Sequence, residues 1–200
     1  MIFKFSKYIK ILSIEISFQL VEKLIRIIFG LIIVNKLSSY LGPEEYGSLL
    51  FIESNYLLFL GLSGFGLSPQ IVKIFSQKKH NFEAFIYNGL ILSFLLSMFF
   101  FIIFNIWNYY FLSFSLKESL FYVSFLLFLN PIYFIEYYYT SLNKLRINST
   151  IRLISYIICF VLKIVGINND FSINYFIWII ILEVLITCLF FIVSLKSKLL

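Results

Sequence analysis

Residues 84–106, AFIYNGLILSFLLSMFFFIIFNI, carry no charged side chain. A helix needs about 20 apolar residues to cross the hydrocarbon core of a bilayer. This one stretch therefore makes lipid the expected solvent. Five others are similar: 12–35, 47–68, 119–140, 150–166 and 175–195. The polar breaks LGPEE, SQKKHN, SLKES, LNKLRINS and GINND separate them. Composition agrees, since 13% of the chain is charged against about 25% in soluble domains. The expected fold is an all-α integral membrane protein, with six transmembrane helices in a single domain over residues 1–200.

Charge sets the expected topology. With the N-terminus in the cytoplasm, the inner segments hold eleven cations: Lys4, Lys7, Lys10, Lys73, Lys78, Lys79, Lys144, Arg146, Arg152, Lys196 and Lys198. The outer ends hold three, Lys36, Lys117 and Lys163. Excess Lys and Arg on the cytoplasmic side is the usual orientation signal, so both termini are expected inside. Trp107, Tyr109, Tyr110, Tyr175 and Trp178 fall near span ends, where amphipathic rings favour the interface. Basic residues leading into the charged first span, with no small-residue cleavage site after it, argue against a cleaved signal peptide.

LGPEE then becomes a tight outer hairpin between the first two spans. Pro43 suits a first helical turn, where its missing N–H would be unpaired anyway. Glu44 and Glu45 face the positive end of the second helix. Gly47 is expected to admit a neighbouring helix.

The first span is the impure one. Residues 11–34 hold sixteen Ile, Leu, Val and Phe, favouring insertion by roughly 5–10 kcal/mol in total. Glu15, Glu22, Lys23 and Arg26 oppose it at up to about 3 kcal/mol each. The two sums are of the same order. At 100° per residue, Glu15, Gln19, Glu22, Lys23 and Arg26 fall within about one 100° sector. Glu22 and Arg26, like Gln19 and Lys23, are spaced i, i+4 and can meet. Such a stripe faces a wet cavity, a buried structural network, or the headgroups if the helix lies flat. The cavity reading makes Lys23, Arg26, Glu15, Gln19 and Glu22 substrate-binding candidates. Glu53, Asn55 and Glu136 extend the set, with Asn130 and Glu183 as further polar marks.

No catalytic motif is present, so no enzyme is expected, and neither is a metal or cofactor. Gly61, Gly64 and Gly66 are in the wrong order for a dinucleotide loop and read as helix loosening before Pro69. Cys159 and Cys188 sit in apolar runs, as buried thiols do. His80 reads as a solvated loop residue. Lys78 and Lys79 read as a topology signal that touches lipid headgroups. Basic residues flank spans and form no single patch, which disfavours nucleic acid.

YLGPEEYGSLLF (40–51) resembles the first-hairpin signature of bacterial polysaccharide flippases, the Wzx-type O-antigen and repeat-unit transporters of the multidrug/oligosaccharidyl-lipid/polysaccharide exporter superfamily. Gly64-Phe65-Gly66-Leu67-Ser68 is similar to that family's motif at the end of the second span. LNPIYF (129–134) with Leu142-Asn143-Lys144 is similar to its fourth-span pattern, and Lys163 with Asp170-Phe171 to its fifth-span exit. The chain departs at Ile71, where a basic residue is expected and Lys73 is the nearest. It departs again at Tyr133 and Glu136-Tyr137, in place of Trp and Gln-Gly.

The resemblance covers the whole chain and implies one six-helix lobe, the N-terminal half of a family that usually has twelve or more spans in two lobes. It implies a truncated or half-length flippase of the bacterial inner membrane. That flippase would translocate undecaprenyl-pyrophosphate-linked oligosaccharide repeat units for O-antigen or capsular polysaccharide, by rocking of two lobes. Membrane lipids, a second six-helix lobe and a polysaccharide polymerase are the implied partners. Half of a cation-coupled multidrug exporter, with Glu15, Glu22 or Glu53 as the ion site, remains open. So does a non-transporting structural subunit or remnant.

Overall fold

The computed structural model describes residues 2–64, 67–76, 82–111 and 114–199, with side chains over 14–64, 69–73, 87–110 and 116–195. Among the described residues every element is helical. Helix α1 runs Ile2–Gly64, α2 Leu67–Ser76, α3 Phe82–Phe111 and α4 Phe114–Ser124. A 3₁₀ segment, Phe125–Ile132, leads into α5 (Tyr133–Ser141), followed by α6 (Leu145–Asn168) and α7 (Ile173–Leu199).

Four stretches are long and apolar enough to cross a membrane: Tyr87–Tyr110, Leu116–Ser141, Leu145–Asn168 and Ile173–Leu195. They match the last four expected spans within a few residues. The molecule is thus an all-α, membrane-type protein. The first two expected spans fall in α1, which also carries Glu15, Glu22, Lys23, Arg26 and Glu53. The side chains of Lys4, Lys7, Lys10, Lys196 and Lys198, and residues Lys78, Lys79 and His80, lie outside the described residues. So do Phe65 and Gly66 of the second-span motif.

Helix α1 is two helices meeting at Gly42, whose φ of 74° and ψ of 174° are non-helical. Arg26 and Leu60 line one cavity, yet a straight helix would hold them about 50 Å apart at 1.5 Å per residue. The chain therefore reverses at Gly42, as the hairpin reading requires, and Pro43 opens the second limb. Tyr40 ties the reversal to the α6–α7 turn by donating to the Phe171 carbonyl at 3.0 Å. The LGPEE and GINND breaks thus share one end of the bundle.

The two later turns stop their helices alike. Asn143 and Asp170 have φ of 55° and 54°, the left-handed region that Asn and Asp tolerate better than other side chains. After α5, the Lys144 N–H reaches the Tyr139 carbonyl and the Asn143 N–H that of Thr140. After α6, Phe171 reaches Gly166 and Asp170 reaches Ile167. Both are Schellman closures, which satisfy otherwise orphaned carbonyls.

Pro131 explains the 3₁₀ segment. Its ring lacks an N–H and crowds the Leu127 carbonyl, so i−4 bonding fails there. Asn130, buried beside it, donates to the Ser63 hydroxyl at 2.9 Å and ties the fourth span to the end of α1.

The core gathers Ile52, Phe104, Leu120, Val123, Leu127, Phe176 and Cys159, each at most 1% exposed. Phe59 and Phe104 meet at 4.6 Å between ring centroids. Both cysteines are buried free thiols. Outside this core, Leu20, Leu24, Ile27 and Leu31 on α1 and Val193 on α7 are exposed, as lipid-facing residues are.

Small residues admit the closest contacts, but not at the expected glycine. Nothing lies within 4 Å of a Cβ placed at Gly47. The close approaches are Gly89 against the Phe134 ring and Gly166 against Tyr175. Tyr175 is held over Gly166 because its hydroxyl donates to the Leu162 carbonyl at 3.2 Å. Replacing Gly166 by Leu should lower stability by about 1–3 kcal/mol through overpacking, read as an earlier midpoint in SDS titration of micellar protein. An unchanged midpoint would mean that the Tyr175 ring swings away freely.

Candidate functional site

A cavity of about 590 Å³ opens between α1, the 3₁₀ segment, α5, α6 and α7. Its wall follows from helical periodicity. The second limb of α1 contributes Glu53, Tyr56, Leu57, Leu60, Gly61 and Gly64, spaced 3, 1, 3, 1 and 3 apart, as one helix face requires. Helix α7 repeats the pattern with Ile180, Glu183, Val184 and Thr187, and α5 with Tyr133, Glu136 and Tyr137. Arg26, Asn130 and Arg152 complete the lining.

Three ion pairs organise the surroundings. Arg26 Nη1 lies 3.4 Å from Glu22 Oε1, the i, i+4 partnership expected from sequence. The Arg26 guanidinium also sits 5.1 Å from the Tyr156 ring centroid, and the Tyr156 hydroxyl donates to the Arg26 carbonyl. Arg152 Nη2 meets Glu136 Oε1 at 2.6 Å, joining α6 to α5. The buried Asn148 reinforces that joint by donating to the Glu136 carbonyl and the Thr140 hydroxyl.

Glu15 has a different task. Its carboxylate accepts from the Arg146 backbone N–H at 2.7 Å and from Arg146 Nε at 2.6 Å. It caps the first turn of α6, where helix N–H groups are unpaired. This latch closes the end opposite Gly42.

The stripe expected on α1 is therefore divided. Arg26 lines the cavity, whereas Glu15 and Glu22 are buried in ion pairs. Gln19 is half-buried and outside the lining. Lys23 is exposed and also outside it, among Leu20, Val21, Leu24 and Ile27. The reason is angular. Lys23 sits at the rim of the sector, 100° from Glu22 and 60° from Arg26, so a helix facing those two inward turns it out.

Of the remaining candidates, Glu53 and Glu136 line the cavity. Asn55 does not, and its amide donates to the Phe51 carbonyl of its own helix. Sequence reasoning read Arg152 only as a topology charge, took Tyr133 only as a departure from the family pattern, and overlooked Tyr56. The 3, 1, 3 spacing from Glu53 was the available signal. Among the described residues no group of three His, Cys, Asp or Glu can hold a metal ion.

Comparison with family models, curated proteins and solved structures returns no match to this chain. The functional reading therefore rests on the cavity and on the sequence resemblance.

Proposed function

We propose that the chain is one lobe of a membrane flippase that moves an undecaprenyl-pyrophosphate-linked oligosaccharide from the inner to the outer leaflet of a bacterial plasma membrane. Six spans with both termini in the cytoplasm complete the reading. The observation that carries it is the cavity itself. Two guanidiniums, three carboxylates and three tyrosines line a hollow among helices of membrane-spanning length. Ionisable groups at such depth are costly unless they serve a wet path.

The roles follow from chemistry. Arg26 presents a planar fork suited to two phosphate oxygens, and its contact with Glu22 is loose at 3.4 Å. Arg152 is a second cation on the neighbouring α6, one helical turn from the Tyr156 ring that Arg26 covers. The hydroxyls of Tyr56, Tyr133 and Tyr137 and the Asn130 amide suit sugar hydroxyls, to which they donate and from which they accept. A second lobe closing on this one would supply alternating access by rocking.

Arg26→Ala in the complete transporter should abolish surface glycan while membrane protein levels hold. Lys23→Ala, outside the cavity lining, should leave most of it. Normal glycan in the Arg26 variant would remove the phosphate role.

A further inference from the structure

The cavity is charged unevenly. Arg152 answers Glu136, and Arg26 answers Glu22. Glu53 on α1 and Glu183 on α7 line the same space, yet neither enters an ion pair or side-chain hydrogen bond among the described residues, and Lys163 and Arg26 act on Glu183 only through space. A carboxylate removed from bulk water is costly until a positive group meets it.

A second observation comes from a neutral group. Tyr56 is 3% exposed, and its hydroxyl has no hydrogen-bond partner although the residue lines this cavity. Buried hydroxyls are rarely left so, and each such case asks for an occupant. Two carboxylates and a tyrosine oxygen offer acceptors for a donor-rich cation. A primary ammonium carries three N–H donors and no acceptor, and it is also attracted to tyrosine faces such as that of Tyr133.

We propose that Glu53, Glu183 and the Tyr56 hydroxyl bind a protonated primary amine, that of an amino sugar in the carried glycan. The sugar part rests on the flippase reading, and the amine part on the residues alone. The cavity then carries groups for both charges, Arg26 for phosphate and Glu53 with Glu183 for the amine.

The test uses the purified chain in lipid nanodiscs, with thermal unfolding followed by circular dichroism. Glucosamine should raise the midpoint, since a ligand that binds only the folded state stabilises it. N-acetylglucosamine has the same ring without the charge and should act at least about tenfold more weakly, as a lost charge-assisted hydrogen bond implies. Glu53→Gln and Glu183→Gln should each weaken the glucosamine response by about tenfold or more while keeping native helicity. Equal responses to the two sugars, no response to glucosamine, or a response surviving both Gln variants would overturn the proposal. So would sodium chloride or methylammonium acting as strongly as glucosamine, which would mark an inorganic or a small-amine site. A flat titration alongside lost glycan in Arg26→Ala sinks the amine alone. Amine binding alongside normal glycan in that variant sinks the flippase reading.

Discussion

Arg152→Ala should lower the stability of the lobe by about 2–3 kcal/mol, and Arg152→Met combined with Glu136→Leu should restore most of it. The pair is short, 2.6 Å, and the Glu136 side chain is 15% exposed. Removing the guanidinium alone strands that carboxylate between α5 and α6. Breaking a fully buried pair costs about 3–5 kcal/mol, but the Arg152 side chain keeps 33% exposure, so water screens part of the loss. The double replacement leaves no charge behind, which is why it recovers stability. SDS titration of the wild type, Arg152→Met, Glu136→Leu and the double variant gives the coupling. Losses in the two single variants that simply add in the double variant would show that the pair is fully screened.

Gly42→Ala should cost about 1–3 kcal/mol and disturb the reversal of α1. Its φ of 74° with ψ of 174° belongs to a region nearly reserved for glycine. Nothing lies within 4 Å of a Cβ placed there, so the loss comes from the backbone and not from crowding. Gly47→Ala provides the contrast. It also has nothing within 4 Å, but it sits in regular helix, where Ala gains about 0.5–1 kcal/mol over Gly. Two Gly→Ala changes five residues apart should thus move the unfolding midpoint in opposite directions. Movement in the same direction would refute the conformational reading of Gly42.

These two cases differ in how visible they were beforehand. Gly-Pro followed by two carboxylates announces a helix stop and restart, because the local backbone alone carries that message. The joint of Arg152 and Glu136 was hidden. Arg152 stands at the start of an apolar run and looks like any interfacial cation. Nothing within its own helix points to Glu136, which reaches it only when α5 and α6 pack.

The same boundary runs through the candidate site. Glu22 and Arg26 met as expected, since four residues of helix bring them together. Glu15 was expected in the cavity wall and instead caps α6 at Arg146, far along the chain. Lys23 was grouped with Arg26 by angle, but the helix turned its rim outward, because Glu22 and Arg26 had partners inside and Lys23 had none among the described residues.

The amino-acid order by itself decided that this chain is helical and membrane-type, where four of its apolar helices run, and that it breaks within LGPEE, LNKLRINS and GINND. Those properties depend on hydropathy and on backbone conformation within a few residues. Only the tertiary structure decided which charges share the cavity, which are spent on latches, and that Gly89 and Gly166, not Gly47, receive a neighbouring ring. Such choices depend on the relative rotation of whole helices. A rotation of one residue's angle, 100°, carries a side chain from the interior to the lipid.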